Sequence, residues 1–427
     1  MSRSHKVVSG DTLGGISIRY LGTASQWRSI VAANPQLSGR RTAVDGSPLI
    51  FADDILAIPG GEDKTEAAPP APQTVKTIEL SDAEGDISIV IDGYKFLGFT
   101  GYEINLNYDS FDSFSFSAPF DIASDAIAEA LAPFAFKDCE VYYNGELKLR
   151  GTLLTPDPEV TKDAREITLQ GYPRCGLLND CTIPLAQYPA EYSGLTLKEI
   201  ACPIGDAFGV KVLFDGNESG VFDKVSIEPT EKILDFLVKL SKQRSLLFNN
   251  NADGDLVFFA PKKERVFMSF KEGKLPLLSL KPKFKAQDFF SHIIGFTKAD
   301  ADNDCDQYVY ENKFLTKKGI TRCMTIIASD ADPGSLEASV LSYAGRMFAD
   351  CVSYDLECED HINHDKKVFQ KGMIVAVHAP GAMIKKETEF LARNIKLKRT
   401  IKGKTTSMNL VLPGSYTGEI PEVLPWE

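Results

Sequence analysis

Along most of the chain apolar and polar residues alternate one for one, the period of a strand that rests one face on a core. Ile87-Ser88-Ile89-Val90-Ile91, Gly101 to Tyr108 (GYEINLNY) and Phe111 to Ala118 (FDSFSFSA) read as successive strands. Ile122 to Leu131 reads as a helix with Ile127 and several alanines on one face. Glu140 to Tyr143 and Leu147 to Leu154 flank Asn144-Gly145. Asn-Gly between alternating runs predicts a tight hairpin, because both central residues take positive φ. Arg165 to Gln170 (REITLQ) completes this first series.

A second series repeats the architecture. Ala286 to Phe296, Gln307 to Asn312 and Arg322 to Ile327 predict strands. Ser335 to Asp350 predicts a helix, begun by Asp332-Pro333 and carrying Leu336, Val340, Tyr343 and Met347 on one face. Ser353 to Cys358, Met373 to His378, Glu389 to Lys398 and Thr405 to Leu412 predict further strands. The two series share an order of elements without recognisable sequence identity, which predicts two small antiparallel β-barrels, each with one helix.

Between them the period changes. Leu195 to Phe208 and Ile233 to Ser241 read as helices, while Val210 to Phe214 and a hairpin across Asp253-Gly254 read as extended, which predicts an α+β insert. The first series leaves for this insert through Gln170 to Pro184 (QGYPRCGLLNDCTIP). There Gly171, Pro173 and Gly176 predict the end of a strand, and Asn179-Asp180 a polar turn.

The first residues form a unit of their own. Val7-Val8 predicts a strand, Ser9-Gly10-Asp11-Thr12 a turn and helix cap, and Leu13, Ile16, Ile18, Trp27, Ile30 and Val31 the apolar positions of two short helices. Asn34-Pro35 stops the second helix and Ile55 to Pro59 returns as a strand. Residues 60–73 (GGEDKTEAAPPAPQ) bury too little apolar surface to order themselves and predict a linker. The expected fold is thus multidomain and mainly β. Its boundaries are 1–59 for the N-terminal module, 60–77 for the linker, 78–175 and 285–415 for the barrels, 176–284 for the insert and 416–427 for a tail.

Composition narrows the function. The 427 residues carry a net charge of −12, which argues against a broad phosphate-binding surface. Met1 to Gly10 has no apolar core of a signal peptide, and no run approaches the length of a membrane helix. Eight cysteines without a CxxC pair suit a reducing compartment and mostly buried thiols. Asp300, Asp302, Asp304, Asp306 and Glu311 approach the spacing of a calcium loop, but Cys305 stands where the turn glycine belongs, so an acidic hairpin tip is expected. Cys358, His361 and His364 lack a fourth ligand, so no metal is expected there. Glu199 has no marked cleft around it, His292 and His378 sit in alternating strands, and no nucleophile elbow, HExxH or phosphate loop is present. The chain is expected to be neither an enzyme nor a cofactor binder.

Two resemblances add to this reading. The segments SGDTLGGISIRYLGTASQWRSIVAANPQL and ADDILAIPG resemble the LysM domain, a βααβ module. The resemblance implies a groove between Gly10, Asp11, Thr12 and Leu13 on one side and Asn34, Pro35 and Gln36 on the other. It implies either binding of N-acetylglucosamine polymers in peptidoglycan or an adaptor contact to other baseplate proteins. Residues 80 to 415 resemble the baseplate hub family of Mu-like contractile phage tails. The resemblance is carried by the Asp180-Cys181 junction, the helix start PTEKILDFL and the closing segment from KGMIVAVHAPGAM to MNLVLPGSY. It implies a homotrimer whose six barrels form a pseudo-sixfold ring between the hexameric tail tube protein and the trimeric central spike protein. DNA would pass through an acidic lumen without specific binding. The implied place is the baseplate of a virion or tail particle, assembled in the bacterial cytoplasm. Gly171, Asp180 and Cys181 are then structural junction residues, a turn carboxylate and a buried thiol among them. The rival readings are a LysM-mediated peptidoglycan-binding protein and a cell-wall hydrolase.

Overall fold

The computed structural model describes residues 3–7, 13, 16–17, 20, 27–37, 40, 48, 50, 54–58, 76–82, 86–120, 130–216, 220–262, 265–297, 305–328, 333–400, 402–416, 420–421 and 423–427. The chain divides into two compact units, Met1–Thr74 and Val75–Glu427.

In the first unit, β1 (Arg3–Lys6) pairs antiparallel with β2 (Ile55–Ile58), and α1 (Trp27–Ala32) packs beside them. Residues 13, 16–17 and 20 are helical. Val7, Leu13, Ile16, Ile30, Leu37, Leu56 and Ile58 form its core, with Trp27 half-buried against it. Ile18 and the Gly10-Asp11-Thr12 turn lie outside the described residues, as does residue 8 of the expected first strand.

The second unit is built on one fourteen-stranded sheet. Its first half contains β3 (Lys76–Glu79), β4 (Ile87–Ile91), β5 (Tyr94–Leu97), β6 (Gly101–Asn107), β7 (Ser113–Pro119), β8 (Asp138–Tyr143), β9 (Glu146–Val160) and β10 (Arg165–Pro173). The alternation in β6, β7 and β8 is matched by strictly alternating burial, so the apolar set of each strand reaches the core. Asn144 and Gly145 take φ of 49° and 80°, as the hairpin requires. Of the helix expected over Ile122 to Leu131, only the last two residues are described.

The insert follows: α2 (Leu177–Asp180), α3 (Leu197–Ala207), β11 (Val212–Asp215), α4 (Ile233–Gln243), β12 (Leu247–Asn250) and β13 (Leu256–Phe259). β13 lies between β11, parallel to it, and β12, antiparallel to it. The two longer helices cover a separate core that includes Ile200, Ile204, Phe236, Leu237, Leu240 and Phe258.

The second half contains β14 (Val266–Lys271), β15 (Leu277–Phe284), β16 (His292–Thr297), β17 (Gln307–Glu311), β18 (Cys323–Ala328), α5 (Pro333–Cys351), β19 (Val352–Glu359), β20 (Ile374–Ala379), β21 (Ile384–Thr400) and β22 (Gly403–Val411). β16, β17 and β18 form a small side sheet on which α5 packs. Gly295 of β16 admits Val340 and Leu336 of α5, because a Cβ there would stand 2.3 Å from the valine.

Strand order makes the duplication explicit. The first half runs β4-β8-β9-β10-β7-β6 and the second β14-β20-β21-β22-β19-β15. The long β21 spans both halves: its first part pairs with β20, and Asn394 to Arg399 pair antiparallel with Asn107 to Tyr102 of β6.

Five expectations are corrected. Two separate barrels were expected, but β21 and β6 fuse the halves into one sheet, and among the described residues neither half closes. Gly171 does not interrupt β10: the strand continues through a register shift at Gln170/Gly171 and ends at Pro173, inside the expected stretch. Asn179-Asp180 is the end of α2 rather than a turn. The strand expected from Ala286 begins only at His292, after a 3-10 turn at Ala286–Asp288. Cys305 and Cys323 are exposed, against the reading of mostly buried thiols, whereas Cys139, Cys175, Cys351 and Cys358 are buried.

Candidate interaction sites and the joints that hold them

The junction after β10 is a clasp between the first half and the insert. Tyr172 donates its hydroxyl hydrogen to Asp180 Oδ2 at 2.6 Å, and burial, the largest cause, raises the phenol pKa. Lys232 Nζ donates to the Asp180 carbonyl. Ile233 N donates to Cys181 O at 3.1 Å, and Thr182 bridges to Lys232, so residues 180–182 hold the start of α4. Cys181 is half-buried against the insert core. Gly171 lies between its two neighbouring strands: a Cβ would meet Thr152 O of β9 at 2.4 Å and the Phe114 ring of β7 at 2.5 Å. Gly171→Ala is therefore expected to lower stability by about 1–3 kcal/mol through overpacking. A thermal melt within 1 °C or so of wild type would count against that placement.

The residues of the expected N-terminal groove are differently placed. Gly10, Asp11 and Thr12 lie outside the described residues. Leu13 is a core residue. Asn34 is 1% exposed, and its amide locks α1 to β2. Nδ2 donates to Ile30 O and Ala57 O, both at 2.6 Å, while Oδ1 accepts from Ala57 N at 2.7 Å and from Gln36 Nε2 at 2.9 Å. Pro35 and Gln36 are exposed beside this lock.

Three polar joints, none foreseen from the pattern, fix the parts of the second unit, and the first of them is buried. Asp112, 3% exposed, accepts Asn107 N at 2.7 Å and Asn250 Nδ2 at 2.9 Å, and forms an ion pair with Lys371 at 2.8 Å. Lys371 also donates to Asn250 O at 2.7 Å. One carboxylate thus ties the β6–β7 loop, the insert and the segment before β20. Burial raises its pKa, and Lys371 opposes the rise. The second joint pairs Asp109 with Arg393 at 3.2 Å and receives the Tyr416 hydroxyl at 2.7 Å, while Arg393 also reaches Asp350 at 2.7 Å. In the third, Asp86 accepts Arg399 at 2.9 Å, Lys404 at 3.1 Å and the Tyr102 hydroxyl at 2.8 Å across the β6–β21 seam.

His361 lies beneath this third joint. It is fully buried, its ring 5.8 Å from those of Tyr102 and Tyr143. Thr406 spends its hydroxyl hydrogen on Asp360 O at 2.6 Å, so it accepts from His361 Nδ1–H at 2.9 Å. Nε2 has no partner among the described residues. Burial pushes the imidazole pKa down to about 4. Cys358 is buried with its thiol pushed up to about 12, and His364 is exposed. Among the described residues no three His, Cys, Asp or Glu side chains stand close enough to hold a metal. Asp300, Asp302 and Asp304 lie outside them; Asp306 precedes β17 and Glu311 ends it, opposite His292.

Glu199 serves the fold. With Thr196 it forms a capping box at the start of α3, accepting Thr196 N at 2.8 Å and the hydroxyl at 2.9 Å, and those bonds lower its pKa. His378 lies on β20 and His292 on β16.

A doubled, mainly antiparallel sheet carrying an α+β insert is a fold similar to that of solved phage tail proteins. Residues 175–260, which bracket the insert core, match the family model described as baseplate hub protein gp44-like, second domain. Over 324 residues the chain is 24% identical to the baseplate hub protein gp44 of Escherichia phage Mu, covering 73% of this chain and 83% of that protein. Its fold is similar to the 43 kDa tail protein of prophage MuSo2 from Shewanella oneidensis, with a TM-score of 0.66 and 18% identity over 78% of this chain and 99% of that one. It is similar also to a component of the E. coli type VI secretion system, with a TM-score of 0.51 and 12% identity over 79% and 80% of the two chains.

Proposed function

We propose that the chain is the structural hub of a contractile tail or injection machine. Three copies form a ring of pseudo-sixfold symmetry that joins a hexameric tube to a trimeric spike. The reading rests on one observation above the others: each chain supplies two half-sheets of the same strand order, side by side in one sheet and joined through β6 and β21. Three such chains offer six similar modules to a sixfold partner while keeping threefold symmetry for the other. The similarity to the hub protein of phage Mu supports the same reading. The protein would then reside in the baseplate of the particle, and DNA would traverse an acidic ring without being gripped.

The N-terminal unit is assigned as a LysM adaptor to other baseplate proteins or a peptidoglycan contact. Electron microscopy of the purified chain should show threefold rings that bind spike and tube protein. A chain that remains monomeric in the presence of both defeats the proposal. Cell-wall sacculi should retain the full chain, but not one lacking residues 1–60, if the unit contacts peptidoglycan. Equal recovery of both leaves the adaptor role.

A further inference from the structure

The intrachain joint between β21 and β6 has a counterpart that the single chain leaves open. By strand order β21 corresponds to β9, and β6 to β15. Among the described residues, Thr155–Val160 of β9 pairs only with β10, because the β8 pairing stops at Thr152. Among the same residues, β15 pairs only with β19. We propose that these two edges face each other on successive copies, and that Phe134 and Phe136 of one copy seat in an apolar hollow of the next. The inference rests on the ring proposed above and assigns its contact.

Direction, charge and shape agree. From β15 through β19, β22, β21, β6, β7 and β10 to β9, every neighbour is antiparallel. The two outer edges therefore run in opposite directions, and a second copy set beside the first continues the alternation, with Thr155 next to the Phe284 end of β15. Exposed Asp157 and Glu159 then lie along exposed Lys281 and Lys283, as Glu103 faces Lys396 at 2.7 Å in the intrachain joint. Lys283 also reaches Asp355 of its own chain.

The apolar parts meet at the same end. Phe134 and Phe136 are 85% and 60% exposed and are held at positive φ, 60° and 47°. Their loop leads into Lys137, whose carbonyl accepts Leu153 N at 2.8 Å, so both rings stand at the start of the open β9 edge. At the end of β15, Phe284, Phe289, Met383 and Trp426 wall a hollow of about 500 Å³, with Phe284 and Met383 45% and 55% exposed. Exposed aromatics opposite an apolar hollow are the usual anchors of an interface.

Prolines keep the edges selective. Pro156, Pro158 and Pro282 sit within the paired ladders, so their missing N–H groups must point to the open side. A full backbone ladder with an arbitrary strand is thereby blocked, and side-chain complementarity decides the partner. The contact is heterologous and propagates from copy to copy until the ring closes.

Sedimentation velocity of the full chain, with circular dichroism as a check on folding, tests the assignment. Phe134→Ser with Phe136→Ser should leave the melt unchanged and raise the concentration for half-dissociation about tenfold or more. Glu159→Lys and Lys281→Glu should each weaken the assembly, and together restore it. A ring that forms equally well in all these variants overturns the contact and leaves the ring standing. A wild-type chain that is monomeric at every concentration overturns the ring reading and the contact with it.

Discussion

Replacing Lys371 by Met should be among the most destabilising single changes in the chain, costing about 3–5 kcal/mol at neutral pH. The substitution keeps the aliphatic stem and removes only the charge facing Asp112. Asp112 is buried, and its remaining partners, Asn107 N and Asn250 Nδ2, are neutral dipoles. An uncompensated carboxylate in that place must either stay charged at high desolvation cost or take up a proton against the bulk pH. Two consequences separate this mechanism from a simple packing defect. The penalty should shrink as pH falls, because Asp112, already raised by burial, protonates more readily without its lysine. Asp112→Asn added to Lys371→Met should recover much of the loss, since the double variant buries no charge. Urea unfolding of the four proteins at neutral and acidic pH measures both. Additive losses in the double variant would refute the account.

The joint shows why part of the molecule was invisible to pattern reading. Asp112, Asn250 and Lys371 are distant in sequence, and each is an ordinary polar residue of a loop or strand end. Nothing in local periodicity marks them as partners. The elements read well where one face of a strand is buried and the other is not, as in β6, β7 and β8. They read poorly at edges. β15 (LLSLKPKF) is exposed along most of its length and holds a proline, so its alternation is blurred and the pattern does not reveal it. β3 and β5 are four residues each, too short to show a period. Gly171 misleads for the opposite reason: glycine there makes room for the flanking strands, a need set by Thr152 of β9 and Phe114 of β7 rather than by the neighbours in sequence.

The duplication was legible as an order of elements, but not the way its halves join. Fusion depends on β21 running 17 residues, so that one strand pairs with β20 and then with β6. Its sequence opens with the polar run KKETE and then the apolar run FLA, so local pattern neither joins the two stretches nor shows where the partner changes. The three carboxylates Asp86, Asp109 and Asp112 all come from the first half and all meet cations from the second. Together with the seam they fix how the two halves sit against each other. The insert was the most legible part. Its helices show a clear apolar face, with Phe236, Leu237 and Leu240 of α4 all buried in its core.

His361 should make the fold lose stability between about pH 6.5 and pH 4, by about 3 kcal/mol in total. In the unfolded chain the imidazole titrates near its ordinary value, whereas burial lowers it to about 4 in the fold. Above pH 6.5 both states are neutral and the full stability is present. As pH falls toward 4 the unfolded chain binds a proton that the folded chain refuses, so each unit costs about 1.4 kcal/mol. Below 4 both states are protonated and this contribution falls no further. The physical origin is the bare Nε2: its proton would be a buried donor without an acceptor, on a ring held by Tyr102, Tyr143 and Thr406. Asp360 and Asp86 nearby favour the charged ring, and Lys404 opposes it, but burial is the largest influence. His361→Gln retains a side-chain amide for Thr406 and cannot titrate. The stability difference between wild type and this variant should therefore change by about 3 kcal/mol from pH 7 to pH 4, whatever its value at pH 7. A difference that stays constant over that range in urea unfolding would mean that His361 gains a partner for its proton, and the neutral, one-sided imidazole would have to be abandoned.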